Sequence, residues 1–280
     1  VEHPWRLELD RITHKQSVNC KYCDSMNIVR YGTFQGMQRY FCKDCRRKFA
    51  DNDALPGMKT PVWIISLALN CYYGGMSLRN IQQEINKRHG AYYAQSSIYN
   101  WIIRFSTAAA RQAQFIHLAA GEVLFIATAP AAFGKNPLYS LDVFDVHSKY
   151  LLASWLLENI TEDGVTKSIR TIKFAAPVTS QYPTTVMVML ACNNKLGNSA
   201  NIIFQDADAS MVKEFNSILK KRNRVVRNFR DIDRAQILLD AWRMHYNFLI
   251  DAGKPKFNKT GGESASSHPR SWDDIISQSR

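Results

Sequence analysis

CKYCDSMNIVRYGTFQGMQRYFCKDCRRKF, residues Cys20–Phe49, carries two Cys-x-x-Cys pairs, Cys20/Cys23 and Cys42/Cys45, around a segment that reads as strand, turn and strand. Two such knuckles bring four thiolates to the corners of one tetrahedron, the closed geometry of structural Zn2+, and the spacing predicts a zinc ribbon. The alternative is two disulfides or four unrelated thiols. The small apolar set Ile28, Val29, Tyr31, Phe34, Tyr40 and Phe41 cannot supply a core without a staple, and paired Cys-x-x-Cys at ribbon spacing favours zinc as that staple. Arg39, Lys43, Arg46, Arg47 and Lys48 crowd the second knuckle, and that charge favours a polyanion as neighbour.

The rest of the composition agrees. A chain of 280 residues that is 46% hydrophobic can bury a sizeable core and is expected to form two or three units. A net charge of +12 and a pI near 9.5 attract nucleic acid or an anionic surface, and nucleic acid is the expected partner. No apolar run is long enough to span a bilayer, Thr185 to Ala191 being too short, and no signal-peptide pattern is read at the start. No membrane partner is therefore expected. The expected location is cytoplasmic and nucleoid-associated, and six cysteines with four committed to metal fit a reducing compartment. Cys71 and Cys192 read as buried small side chains.

Val1 to Asn19 reads as an extended arm, and Ala50 to Thr60, with Asp51, Asp53, Pro56 and Gly57, as a linker. Three helices follow. The first runs from about Pro61 to Tyr73 and stops at Gly74-Gly75; the second is capped by Ser77 and places Leu78, Ile81 and Ile85 at helical spacing. After His89-Gly90, Ser96 or Ser97 can cap SSIYNWIIRF. This order is that of a helix-turn-helix whose last helix enters the major groove. Ser97, Tyr99, Asn100 and Arg104 are the groove-facing candidates, while Ile98, Trp101 and Ile102 should face inward. A plain helical bundle is the alternative, and the basic ribbon upstream favours DNA. His89 and His117 read as turn and surface histidines.

From Gly121 the pattern changes to strands at about Glu122–Ala129, Leu138–Asp145 and Tyr150–Leu156, with Val146 to Lys149 as a hairpin turn. A helix from Thr161 to about Ala175, an apolar strand Thr184–Ala191 and a short strand Asn201–Gln205 come next. Helices follow at about Ala207–Arg222 and Ile232–Ile250, the second capped by Asp231. The tail from Lys254 is loop-like until Trp272–Ser277. The expected fold is multidomain α+β: an arm and zinc ribbon in 1-55, a helix-turn-helix domain in 56-112, an α/β domain in 113-253 and a tail in 254-280.

This order of parts resembles prokaryotic insertion-sequence transposases of the DDE class, in the branch with a zinc ribbon, a helix-turn-helix and a ribonuclease-H-like domain. The resemblance is carried by RYGTFQGMQRYFCKDCRRKF, by MSLRNIQQEI with SSIYNWIIRF, by SLDVFDVHSKYLLAS, and most clearly by ILKKRNRVVRNFRDIDRAQILLDAWRMHYNFL. It implies DNA transposition chemistry, in which three carboxylates clamp two metal ions for phosphodiester cleavage and strand transfer. Carried over position by position, the first acid falls on Ala127, the second on Leu190 and the third on Lys213, with Glu214 beside it as a possible survivor. Alanine and leucine cannot ligate a divalent cation, and lysine repels one. Asp142 and Asp145 have structural places outside the triad in that family, and Asp206 and Asp208 read as loop or helix-start residues suited to capping.

Lys220, Lys221, Arg222, Arg224, Arg227 and Arg230 form a second basic stretch, read as phosphate contacts rather than as a merely solvated face. Trp242, His245 and Tyr246 read as packing residues. The first expectation is a transposase-derived, sequence-specific protein that binds double-stranded DNA and has lost cleavage and strand transfer, with a homodimer as its possible assembly. The alternatives are an active transposase requiring Mg2+, with its acids elsewhere, and a protein-interaction module.

Overall fold

The computed structural model describes residues 18–34, 36–116, 123–133, 136–158, 161, 186–190, 202–206, 208–226, 231–250 and 269–279. The chain divides into two compact units, one through Ile64 and one from Ile65 to Ser279.

In the first unit, β1 (Ile28–Phe34), β2 (Met37–Cys42) and β3 (Lys48–Ala50) form an antiparallel sheet in that order, with Ile28 opposite Cys42 and Tyr40 opposite Phe49. A register shift between Arg30 and Thr33 is accommodated by Gly32 at φ 79°, where a side chain would be strained. The core is small: Cys20, Cys42 and Phe49, with Val18, Tyr22, Ile28, Tyr40 and Cys45 against it. After β3 the chain turns back through an Ala54–Pro61 bridge, and Ala54 and Leu55 are buried.

Helix α1 (Val62–Tyr73) leads into α2 (Leu78–His89). The Ser77 side chain accepts from Asn80 N–H, Gly90 ends the helix at φ 63°, and Ile81 and Ile85 are buried, as their spacing predicted. Helix α3 spans Gln95–Phe115 and departs from expectation at both ends. Ala94 occupies the cap position without a side-chain bond, so neither Ser96 nor Ser97 caps it, and the helix runs ten residues beyond Phe105. The added length is rich in alanine, and Ala109, Ala110 and Ala113 continue the buried stripe of Ile98, Trp101, Ile102 and Phe105.

The second sheet contains β4 (Val123–Phe133), β5 (Asn136–Asp145), β6 (Leu151–Leu157), β7 (Val186–Leu190) and β8 (Ile202–Asp206), in the order β6-β5-β4-β7-β8. The first three strands pair antiparallel, while β4/β7 and β7/β8 are parallel. The helix expected at 161–175 lies, beyond Thr161, outside the described residues.

Helix α4 (Ala209–Val226) stacks Phe215 on Phe125 at 4.4 Å between centroids, with Phe144 at 4.7 Å. Helix α5 (Ile232–Met244), capped by Asp231, continues into a π-helical turn, His245–Leu249. It packs on α3 and covers β6, an edge strand of the sheet. An exposed edge would leave backbone groups unpaired, and side chains answer them here. Asn247 accepts from Leu151 N–H and donates to its carbonyl, Gln236 does the same for Leu156 N–H and Ser154 O, and Arg243 donates to Leu152 O. The other Arg243 amino group donates to Ala113 O of α3, joining helix, helix and sheet. Helix α6 (Trp272–Gln278) opens with a Ser271/Asp274 capping box. Trp272 is fully buried, stacks on Tyr73 at 5.1 Å and donates to His245 Nδ1 at 3.2 Å. Trp242 stacks on Tyr246 at 5.1 Å, so all three residues read as packing are core. No helix among the described residues is long and apolar enough to cross a membrane.

Candidate functional site

The strongest site is made by the two knuckles. Each is closed by the same pair of features: Cys20 N–H donates to Ser25 O and Cys42 N–H to Arg47 O, while Asp24 and Arg46, one residue past the second cysteine of each pair, take φ of 56° and 58°. This tight turn aims both sulfurs of a pair the same way. Cys20 and Cys45 sulfurs lie 3.5 Å apart, Cys23 and Cys42 sulfurs 3.6 Å, and all four within 4.8 Å of one another. Those separations are far beyond the ~2.05 Å of a disulfide and fit four thiols around one point. Backbone N–H groups of Cys45 and Asp44 point at the Cys42 sulfur and lower its pKa to about 7. Cys23 faces the Ser25 N–H, yet burial and its neighbouring thiols push it up to about 12. The Asp44 carboxylate accepts from Ser25 Oγ and Asn27 Nδ2, tying one knuckle to the other. An all-sulfur set suits a soft or borderline ion and not Mg2+.

The basic residues of the N-terminal sheet and its knuckles are partly held by aromatic rings. The Lys48 ammonium sits 3.9 Å from the Tyr31 centroid and donates to its hydroxyl, Arg39 lies 5.8 Å from the same ring, and Arg47 lies 4.8 Å from Tyr22. Lysine at its hydroxyl lowers the Tyr31 pKa. Lys43 and Arg46 are exposed.

On α3, Ile98, Trp101 and Ile102 are buried as expected, Asn100 and Arg104 are exposed, and Ser97 and Tyr99 are half-buried. Arg234 of α5 donates to the Tyr99 hydroxyl at 3.5 Å, and the Arg104 guanidinium lies 5.3 Å from the Phe105 ring. Arg111, also exposed, continues the stripe of Asn100 and Arg104 two turns on. It lies in the part of the helix beyond Phe105, where the helix was expected to end, and its spacing of seven from Arg104 puts it on the same face.

In the α/β layer, strand register places Leu190 opposite Ile126, one residue from Ala127 in the neighbouring strand. Ala127 is buried and lies opposite Asp142 of β5. Lys213 and Glu214 are exposed near the start of α4, where Glu214 accepts from Lys149 at 2.5 Å. Asp145 is a turn residue, accepting from the N–H groups of His147 and Ser148. Asp206 is not in a loop as expected but ends β8 opposite Leu190, because the last strand runs one residue further. Asp208 stands at the start of α4, where Ser210 Oγ donates to it. Among the described residues, the four cysteines are the group of His, Cys, Asp and Glu side chains close enough together to hold a metal ion.

The second basic stretch needs one correction. Arg222 is completely buried and approaches the Asp142 carboxylate at 2.8 Å, both side chains being essentially without solvent exposure. It also donates to Ser140 Oγ at 2.9 Å, and Ser154 Oγ donates to the other Asp142 oxygen at 2.5 Å. Burial pushes the Asp142 carboxyl above its ordinary range, while Arg222 and the two hydroxyls pull it back. A guanidinium so placed cannot reach a phosphate. Lys220 and Lys221 are exposed on the same helix, and Arg224 belongs to it. Arg227 and Arg230 lie outside the described residues, as do His117 and Cys192. Cys71 is half-buried, and burial raises its thiol pKa.

No family model matches the chain. A 43-residue stretch is 42% identical to an uncharacterized protein in transposable element ISH50 of Halobacterium salinarum (strain ATCC 700922 / JCM 11081 / NRC-1), covering 15% of this chain and 15% of that protein. Among solved structures, a chain of the simian T-cell lymphotropic virus intasome in complex with PP2A regulatory subunit B56 gamma aligns over 72% of this chain and 79% of its own, with a TM-score of 0.35 and 13% identity.

Proposed function

We propose that the chain is a transposase-derived, sequence-specific duplex-DNA-binding protein that does not cleave DNA or transfer strands. Its N-terminal unit is a zinc ribbon, α1 to α3 form a helix-turn-helix, and the second sheet belongs to a ribonuclease-H-like domain. The observation that carries this reading is the second sheet. Its order puts an antiparallel meander beside two parallel strands, and its register brings Ala127 and Leu190, where the transposase resemblance expects acids, into neighbouring strands with no carboxylate at either. The likeness to a protein encoded in a transposable element supports the same origin.

On this reading Asn100, Arg104 and Arg111 face the groove, and Lys43, Arg46, Lys220 and Lys221 hold phosphates. The four thiolates hold zinc, which supplies the ribbon's folding energy and takes no part in chemistry. The test is selection of bound duplexes from a randomised pool by zinc-loaded protein at two salt concentrations, with supercoiled plasmid and Mg2+ as a parallel assay for nicking. An enriched motif, with affinity that falls steeply as salt rises, is expected. Metal-dependent nicking would overturn the loss of cleavage, and no duplex binding at either salt would overturn the DNA reading altogether.

A further inference from the structure

The N-terminal unit contains a cleft of about 730 Å³ between the ribbon sheet and the segment that follows it. Its lining includes the aromatic and apolar side chains Tyr22, Phe34 and Met37 and the cations Arg39, Lys48 and Lys59, and no Asp or Glu contributes to it. Phe34 is 62% exposed, so a large ring stands open at the mouth with nothing of the described chain over it. The N-terminal side of the cleft is fixed by Lys21, whose ammonium is spent on Asn52 Oδ1, Asn52 O and Ala54 O and anchors the following segment to the first knuckle. The cleft is thus held open by the fold rather than collapsed.

An open aromatic ring, Phe34, beside cations that face no carboxylate in the lining matches a ligand that is flat and apolar on one part and anionic on another. A base-paired duplex does not have that form, because its bases are stacked inside and only its phosphates are presented. An unpaired nucleotide does: its base has a free π-face and its phosphate a full charge. We propose that this cleft takes an unpaired nucleotide of a DNA strand, the base stacking at Phe34 and the phosphate lying against Arg39 and Lys59. This rests on the DNA-binding reading above and adds to it a second substrate form, a single-stranded or flipped-out segment beside the duplex site. The volume suits one nucleotide with part of its neighbour.

The experiment measures anisotropy of labelled oligothymidylate and of a duplex carrying the selected site, using the full zinc-loaded chain and the variants Phe34→Ala and Lys59→Glu. Base–aromatic stacking predicts that Phe34→Ala weakens oligothymidylate binding about tenfold and leaves duplex binding within about twofold. Lys59→Glu should weaken it at least as much, and because both side chains are exposed the zinc stoichiometry should be unchanged in each. Competition by thymidine monophosphate that is lost in Phe34→Ala identifies a mononucleotide site; sensitivity to Phe34 with no such competition identifies a strand, and either supports the proposal. Oligothymidylate binding indifferent to Phe34, or displaced equally well by polyglutamate of the same charge, overturns it while leaving duplex recognition intact. Failure of both DNA forms to bind would instead strike the parent reading.

Discussion

Replacing Arg222 by methionine separates two roles that a charge run on a helix can have. In the fold the guanidinium is buried with Asp142 at 2.8 Å, so its removal leaves a carboxylate in a site with two hydroxyls and no counter-charge. Breaking a buried pair on one side costs about 3–5 kcal/mol, which at a urea m-value of about 2–3 kcal/mol per molar moves the midpoint down by about 1–2.5 M. Loss of Arg222 also removes the largest influence holding the Asp142 carboxyl down, while burial, which raises it, remains. A folded-state pKa above the unfolded value gives stability that is present below the unfolded pKa and lost as pH rises through the folded one. The penalty of Arg222→Met should therefore be smaller near about pH 5 than near about pH 8. Asp142→Leu with Arg222→Met should regain most of the loss, since no charge is then stranded. Urea denaturation followed by far-ultraviolet circular dichroism at both pH values measures all of this. A midpoint unmoved in Arg222→Met, together with DNA binding whose salt slope falls by about one, would show that Arg222 is a phosphate contact and that the buried pair is wrong.

Cys42→Ser should release zinc and weaken duplex binding while the unit from Ile65 to Ser279 keeps its unfolding transition; retained zinc stoichiometry would refute the four-thiolate centre. Arg104→Ala, at an exposed position of α3, should reduce DNA affinity or specificity with stability within about 0.5 kcal/mol, and unchanged binding in the duplex selection would mean that another face of the helix reads the groove. Trp272→Ala removes a fully buried indole stacked on Tyr73 and bonded to His245, so the second unit should lose about 3–5 kcal/mol; a thermal transition unchanged from the parent would show that α6 does not hold α1 and α5 together.

Features set by neighbours in sequence were legible from sequence. Cys-x-x-Cys spacing, the Ser77 and Asp231 caps, the stop at Gly74-Gly75 and the turn at Val146 to Lys149 each depend on a few adjacent residues, and each formed where expected. What escaped reading depends on contacts made across the chain. The burial of Arg222 is the sharpest example, because a basic run looks solvated until the helix is wound. Once wound, Phe215, Leu219, Arg222 and Val225 fall on one stripe, and all four are buried. That spacing, with Asp142 set between the apolar Leu141 and Val143, was the signal for an internal pair. The cleft in the N-terminal unit had none: Lys59 sits in irregular chain after β3, and irregular chain has no period to read.

The same stripe bears on why an acid is not needed where the transposase resemblance expects its first one. Ala127, Asp142 and Ser154 lie opposite one another in a row across β4, β5 and β6, so their side chains share one face, the face that Phe215 and Arg222 of α4 cover. One carboxylate in that row is already matched by one guanidinium and two hydroxyls. A second carboxylate at position 127 would stand directly across from Asp142, in a place where solvent reaches only 2% of the present side chain. Like charges facing one another there are costly, and a single buried arginine cannot neutralise both. A metal ion would have to compete with Arg222 for the same carboxylate. The row is therefore coherent as packed core, with alanine giving room to the aromatic and ionic contacts of α4, and restoring Asp at 127 alone would burden the fold before it rebuilt any part of a two-metal centre.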